Sequence, residues 1–305
     1  GTGHFKKSHA GVCQGRAMKY EFIDQHQAEY EVKIMCRVLG MTISSYYQWR
    51  KRPLSARAQE NEQLAVAIEQ IHSDSRHLYG SRRVTAALRQ QGVLCNRKRV
   101  ARLMCMSQLR GCERRKRRVI TTQSGHNDPV AANVLQRDFS APAPNRIWLG
   151  DITYIPTREG FLYLASLEDA FSRKIVGWAM DEHMEAILVE QALQMALHQR
   201  QAGDDLLHHS DRGSQYTSLA YQTHLAQHHI TVSMSGVGNC YDNAMKESFF
   251  ATLKTECVTD LFETRAQART AIFDYIEVFY NRQRLHSSLG YLSPQQFEQQ
   301  FYTLH

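Results

Sequence analysis

Three carboxylates and one ammonium between residues 151 and 254 of this 305-residue sequence have the types and surroundings that metal-assisted chemistry at phosphorus requires. Asp151 sits inside the run Trp148-Leu149-Gly150-Asp151-Ile152-Thr153-Tyr154, where an ionised carboxylate among apolar neighbours is costly unless something positive meets it. Asp211 follows His209-Ser210 in a polar run through Tyr216 that alone reads as an Asp-led turn. Glu247 lies near the start of a helical pattern, where acidic residues often only complement the helix dipole. Brought together, the three would supply oxygen ligands for two divalent cations roughly 3.5 to 4 Å apart. One ion then activates an attacking water or 3′-hydroxyl and the other stabilises the leaving oxygen of an in-line displacement. Lys254, seven positions after Glu247, falls two turns along the same helix face and can reach a phosphate there. A solvated helix lysine is the alternative.

The elements that must position these residues are legible in the periodicity. Ile147 to Pro156, Phe161 to Glu168 and Lys174 to Met180 are rich in β-branched and aromatic residues and read as three strands of an antiparallel meander. A helix from about Glu185 to Gln201, a strand at Leu206 to His209, a helix at Tyr221 to His228 and a strand at Ile230 to Met234 follow. A loop over Gly236 to Asn243 leads into a helix from Ala244 to Cys257, and a long helix covers Arg265 to Arg282. This is the ribonuclease H order: an α/β domain with a mixed five-stranded sheet and flanking helices. It places the centre of strand one, the end of strand four and the Ala244 helix side by side.

The first part of the chain is helical and basic. Val32, Met35, Cys36 and Leu39 recur at helical spacing, Gly40 ends that helix, and Ser44 or Ser45 caps a second carrying Tyr46, Tyr47 and Trp49. A second helix-turn-helix pattern follows Tyr79-Gly80-Ser81, broken by Gly92 and restarted under an Asn96 cap. Arg97, Lys98, Arg99 and Arg102 fall in the first two turns of that last helix, where such a module presents side chains to the DNA major groove. Arg110, Arg114, Arg115, Lys116, Arg117 and Arg118 then place six cations in nine positions, a density that repels itself unless a polyanion neutralises it. The expected domains are a leader at 1–19, a helix-turn-helix-like segment at 20–53, a basic all-α DNA-binding domain at 54–118, a linker at 119–145 and a catalytic core at 146–305.

Charge divides along the same line. Residues 1–125 hold 24 Lys and Arg against 9 Asp and Glu, +15, and residues 126–305 hold 13 against 21, −8. A polyanion-binding part is joined to one that gathers carboxylates. The seven cysteines are odd in number, dispersed and without a CxxC pair, which predicts reduced thiols, a cytoplasmic protein and no structural zinc. No window approaches a membrane span.

At these residues the sequence resembles the OrfB-type transposases of insertion sequence family 3, members of the retroviral-integrase-like DDE superfamily. Asp211 and Glu247 are separated by 35 residues (247 − 211 − 1) with Lys254 beyond, the superfamily's D-35-E spacing with its trailing basic residue. The words around Asp151 and Asp211, Asn243-Ala244-Met245-Lys246-Glu247-Ser248-Phe249-Phe250 and Arg284-Leu285-His286-Ser287-Ser288-Leu289-Gly290-Tyr291 look like family landmarks. Tyr79-Gly80-Ser81-Arg82-Arg83-Val84 resembles the family's helix-turn-helix element, which adds Arg82 and Arg83 to the DNA-binding candidates. The resemblance implies Asp151, Asp211 and Glu247 as catalytic metal ligands for two Mg²⁺, with Mn²⁺ able to substitute. It implies double-stranded DNA as partner, both terminal repeats and target, cut at an element end and joined through the exposed 3′-hydroxyl. It also implies a homo-oligomer on DNA, a dimer or larger, and an upstream helix-turn-helix and leucine-zipper product, of which no heptad run is visible here. The His-His-Cys-Cys array of retroviral integrases is absent.

His209 is a candidate helper in proton transfer or phosphate contact, and His208, by strand alternation, is structural. Asn239, Asp242 and Asn243 read as ordinary loop residues, Trp148 as core, Tyr154 as a candidate for stacking on a base, and Cys240 as lacking a base to make it nucleophilic. Two other readings are carried: a ribonuclease H-fold nuclease without strand transfer, and a transposase-derived DNA-binding regulator that keeps the fold as scaffold.

Overall fold

The computed structural model describes residues 15–51, 55–113, 130–201, 203, 205–236 and 243–304. The chain divides into two compact units, residues 1–64 and 65–305.

In the first unit, α1 (Arg16–Gln25), α2 (Val32–Val38) and α3 (Ile43–Lys51) enclose Tyr20, Ile23, Met35, Cys36 and Tyr46. Gly40, at φ +66°, ends α2 as expected, and the Met41 N–H returns to the Cys36 carbonyl at 2.8 Å. The cap of α3 is Thr42, whose hydroxyl accepts from the Ser45 N–H at 3.3 Å, so Ser44 and Ser45 lie inside the helix they were expected to start. Residues 16–19 are helical, which shortens the expected leader; residues 1–14 lie outside the described set.

The boundary between the two units falls within α4 (Ala56–Asp74). In the second unit α5 (Ser81–Gln90) packs on α6 (Arg97–Met106), burying Val84 and Leu88 with Val100, Leu103 and Met104. Asn96 caps α6 by accepting from the Lys98 N–H at 2.8 Å.

The sheet contains β1 (Ile147–Thr157), β2 (Gly160–Asp169), β3 (Ile175–Asp181), β4 (Leu207–Ser210) and β5 (Thr231–Met234), in the order β3-β2-β1-β4-β5. The meander β1-β2-β3 is antiparallel, and β4 and β5 add in parallel. One face packs on α7 (Ala186–Gln199) and α9 (Leu219–Gln227) through Trp148, Leu167, Val176, Leu193 and Leu225; α8 (Ser214–Thr217) is a single turn between β4 and α9. The other face meets α10 (Ala244–Glu256), where Met245 packs on Leu149. Successive strand residues alternate faces, so Leu149 and Asp151 share the face that meets α10.

Two expectations change. Residues 130–136, inside the expected linker, strap the edge strand β5: the Val134 and Leu135 N–H groups donate to Ser233 Oγ at 3.0 and 3.1 Å, and Leu135 is buried. The strap covers the β5 edge, which would otherwise offer unpaired backbone groups. The Arg265 helix becomes α11 (Arg265–Phe273) followed by a π-helix (Asp274–Tyr280), a change of hydrogen-bond register that apolar spacing does not encode. A 3₁₀ turn (Ser287–Leu289) and α12 (Pro294–Leu304) complete the unit. Among the described residues no helix is long and apolar enough to cross a membrane.

Candidate active site

Asp151 is held from two sides. Its Oδ1 accepts from the Ile152 N–H at 2.8 Å and its Oδ2 from the Asn243 side-chain amide at 2.8 Å. Burial, aided by the negative charges of Asp211 and Glu247, pushes the carboxyl up to about 7, against the pull of Lys246 and of the Ile152 bond. β4 runs parallel to β1 with Leu149 beside His209. Continuing that register by two residues sets Asp211, just past β4, beside Asp151. Asp211 Oδ1 accepts from the Gly213 N–H at 3.0 Å, the Asp-led turn that its sequence suggested. Glu247 stands exposed in the first turn of α10. The topology thus brings three acidic side chains to one end of the sheet, close enough for two of them to disfavour ionisation of the third.

These donors fit a hard divalent cation: carboxylate oxygens arriving from two strand ends and a helix, in a cluster where mutual repulsion is unrelieved without positive charge. Among the described residues the side chains do not already form a three-ligand cage. Asp151 is instead occupied by Asn243, a residue that reads as ordinary loop in the sequence.

The cluster's internal counter-charge is Lys246, a residue that its sequence context did not single out. Its side chain is fully buried, its Nζ donates to Ser166 Oγ at 2.7 Å, and it lies 4.8 Å from the ring centres of both Phe249 and Phe250. Ser166 is the cross-strand partner of Asp151, so the ammonium sits beneath the site on the same face. Glu168, two residues along β2, is 1 % exposed, and burial pushes its carboxyl up to about 7 against the opposing pull of Lys246 and Arg173. Burial in turn pulls the Lys246 ammonium down to about 8, resisted by Glu168 and Asp151. A signal existed: Lys246 falls in the buried stripe of α10 at spacings of three, four and seven from Phe249, Phe250 and Leu253.

Lys254 lies half-buried on α10 with its Nζ 4.5 Å from the ring centre of Tyr154. That pairs the predicted phosphate contact with the aromatic considered for stacking, and a cation over a ring face is held there. His209, the candidate helper, is fully buried, with Nδ1 bonded to Ser233 Oγ at 2.9 Å, a contact that tethers β4 to β5. His208 is structural as expected: Nε2 meets the Tyr221 hydroxyl at 3.0 Å and burial pushes the ring down to about 3. Trp148 is core.

The predicted DNA-binding residues separate. Arg82, Arg97, Lys98 and Arg102 are exposed and Arg99 is half-buried. Arg83 is spent inside the protein: Nε donates to the Leu285 carbonyl at 3.0 Å and a terminal nitrogen pairs with Glu256 at 3.5 Å. Its spacing in the motif does not reveal that the motif's inner side rests on residues two hundred positions away. Arg114, Arg115, Lys116, Arg117 and Arg118 lie outside the described residues, as do Asn239, Cys240 and Asp242.

Comparison with known proteins agrees with this architecture. Residues 141–240 and 247–302 match models described as integrase core domain, and residues 59–118 a model described as HTH-like domain. The chain is 44% identical over 284 residues to the transposase InsF for insertion sequence IS3A of Escherichia coli (strain K12), covering 92% of this chain and 98% of that protein. It is 44% identical over 271 residues to the insertion element IS600 uncharacterized 31 kDa protein of Shigella sonnei, covering 88% and 99%. Among solved structures, it is similar at 18% identity to the HTLV-2 integrase catalytic core domain in complex with magnesium, with a TM-score of 0.38 over 52% of this chain and 99% of that one.

Proposed function

The chain belongs to the transposases of the insertion sequence 3 family, and on that premise we propose that it cuts DNA at the ends of its element and transfers the exposed 3′-hydroxyl strand to another phosphodiester. The observation that carries this reading is the convergence of Asp151, Asp211 and Glu247 at one end of the sheet, where burial first, and then the other two charges, raise the Asp151 carboxyl to about 7.

Asp151, Asp211 and Glu247 would hold the metal, two Mg²⁺ by the chemistry of the donor set, with Mn²⁺ a substitute. Bound there, the ions supply Lewis acidity toward the attacking hydroxyl and the leaving oxygen. The protein's own residues do the rest. Asn243 and the Ile152 N–H orient the Asp151 carboxylate, and the Asp211 turn is fixed by Gly213. Lys246 keeps positive charge beneath the cluster. Lys254, over the Tyr154 ring, would meet a phosphate oxygen. Arg82, Arg97, Lys98, Arg99 and Arg102 hold the duplex, and the Arg114 to Arg118 run supplies further cations for its phosphates. The active form is a multimer on paired DNA ends, with an upstream helix-turn-helix and leucine-zipper product assisting recognition.

The test incubates the purified chain with labelled duplex bearing its element's ends and Mg²⁺ or Mn²⁺, beside Asp151→Asn, Asp211→Asn and Glu247→Gln. Joined strands from the wild type alone are expected, with DNA affinity retained in all three variants, because neutral amides are poor ligands for hard cations. Turnover in any of the three sinks the assignment; nicks without joining would favour the nuclease reading or a missing upstream partner.

A further inference from the structure

Two of the most family-like words in the sequence, Tyr79 to Val84 and Arg284 to Tyr291, have no place in the chemistry proposed above. They meet each other. The Tyr79 hydroxyl accepts from the Leu285 N–H at 2.7 Å and donates to the Gln283 carbonyl at 3.2 Å. Arg83 Nε reaches the Leu285 carbonyl, and the Gln90 amide donates to the Tyr291 carbonyl at 2.7 Å. Beneath them lies a buried ion cluster. Glu256, the last residue of α10, accepts from Arg284 through two nitrogens, each at 2.7 Å, and from the Tyr275 hydroxyl at 2.9 Å, while Arg83 faces it at 3.5 Å. The Glu256 and Arg284 side chains are only 7 % and 6 % exposed. Arg76 adds a 2.6 Å ion pair with Asp274 and lies over the Phe279 ring.

A buried, bidentate ion pair fixes direction as well as distance, and its desolvation makes it a poor choice where only stability is wanted. What this one connects is specific. On one side is α5, which packs on α6 and so carries the exposed Arg97, Lys98 and Arg102. On the other is the C-terminal end of α10, whose first turn carries Glu247. The DNA-gripping helix and the carboxylates therefore share one rigid frame.

We infer that this joint is a ruler: it sets which phosphodiester reaches Asp151, Asp211 and Glu247 once α6 has settled on its DNA sequence, with Tyr79, Arg83 and Glu256 as positioning residues. The inference rests on the transposase reading and adds where the cut falls. A displacement of about 1 Å at a reacting centre can cost about 10²-fold in rate, so a loosened frame exposes neighbouring bonds to similar, slower attack.

The experiment maps cuts at single-nucleotide resolution on the end-bearing duplex and, in parallel, follows amide hydrogen exchange. The wild type is expected to cut at one bond. Arg83→Met and Tyr79→Phe are expected to bind the duplex within a few-fold of wild type and to spread their cuts over adjacent bonds. Their residues 79–84 and 285–291 should exchange faster together while α10 stays protected. Gln90→Ala, a surface change, serves where Arg83→Met fails to fold, and the same spreading is expected of it. Cuts confined to the wild-type bond in these variants, whatever their total amount, overturn the ruler and leave the transposase reading intact. A wild type that holds both segments protected yet cuts nowhere refutes the transposase reading and the ruler with it.

Discussion

Lys246 stands where the apolar stripe of α10 calls for a leucine, and its ammonium is the strongest opposing charge on both Glu168 and Asp151. Removing one partner from a buried pair typically costs about 3 to 5 kcal/mol, so Lys246→Met should lower the thermal midpoint. The loss should depend on pH. The Glu168 carboxyl titrates near 7 in the folded chain against an ordinary 4.5, so its contribution is present at low pH and disappears as pH rises through about 7. Without Lys246 that folded value climbs further. Thermal unfolding at pH 6 and pH 8 should show a larger gap between wild type and variant at pH 8; an equal gap would mean that packing alone is lost. At this scale, Asp151 stood out because an acid among apolar strand residues is anomalous on its face, whereas Asp211 and Glu247 were singled out by strand order and by their 35-residue spacing. Asn243 and Arg83 were not, because a loop amide and a helix arginine are unremarkable until their partners are known.

The strands were legible as elements because β-branched and aromatic runs have few other uses, and their bounds hold to within one or two residues in β1, β2 and β3. The strap at 130–136 was not, since its composition is that of a linker and its place is set by Ser233, nearly a hundred residues on. Element packing also makes a sharp demand at Gly177 in β3. A Cβ there would lie 2.2 Å from the Ala192 carbonyl and 2.7 Å from the Ala196 Cβ, both on α7. The helix backbone cannot yield locally, so Gly177→Ala should cost about 3 kcal/mol or more by overpacking. Chemical denaturation would show it as a lower midpoint with little change in slope; a wild-type midpoint would mean that α7 rides less closely on β3 than the structure has it.

Over the whole molecule the charge divides, +15 before residue 126 and −8 after it, along the line between the proposed gripping and cutting parts. Binding measured against salt should report the first part: Arg97→Ala, Lys98→Ala or Arg102→Ala should each lower the log–log slope by about 1 for every phosphate left without its cation. Glu247→Gln should leave that slope unchanged. A slope indifferent to all three basic substitutions would move the DNA elsewhere on the protein. The division into basic and acidic parts was legible in composition, whereas the docking of the basic module onto the core was not, because composition carries no record of what rests on what.

The joint between those parts has a temporal side. Its two halves are separated by 204, 202 and 201 positions at Tyr79, Arg83 and Gln90. Chains emerge from the ribosome N-terminus first, with early segments free to fold before later ones exist. A nascent chain therefore carries α5 and α6 before Arg284 to Tyr291 is made, and their half of the joint waits about two hundred residues for its partner.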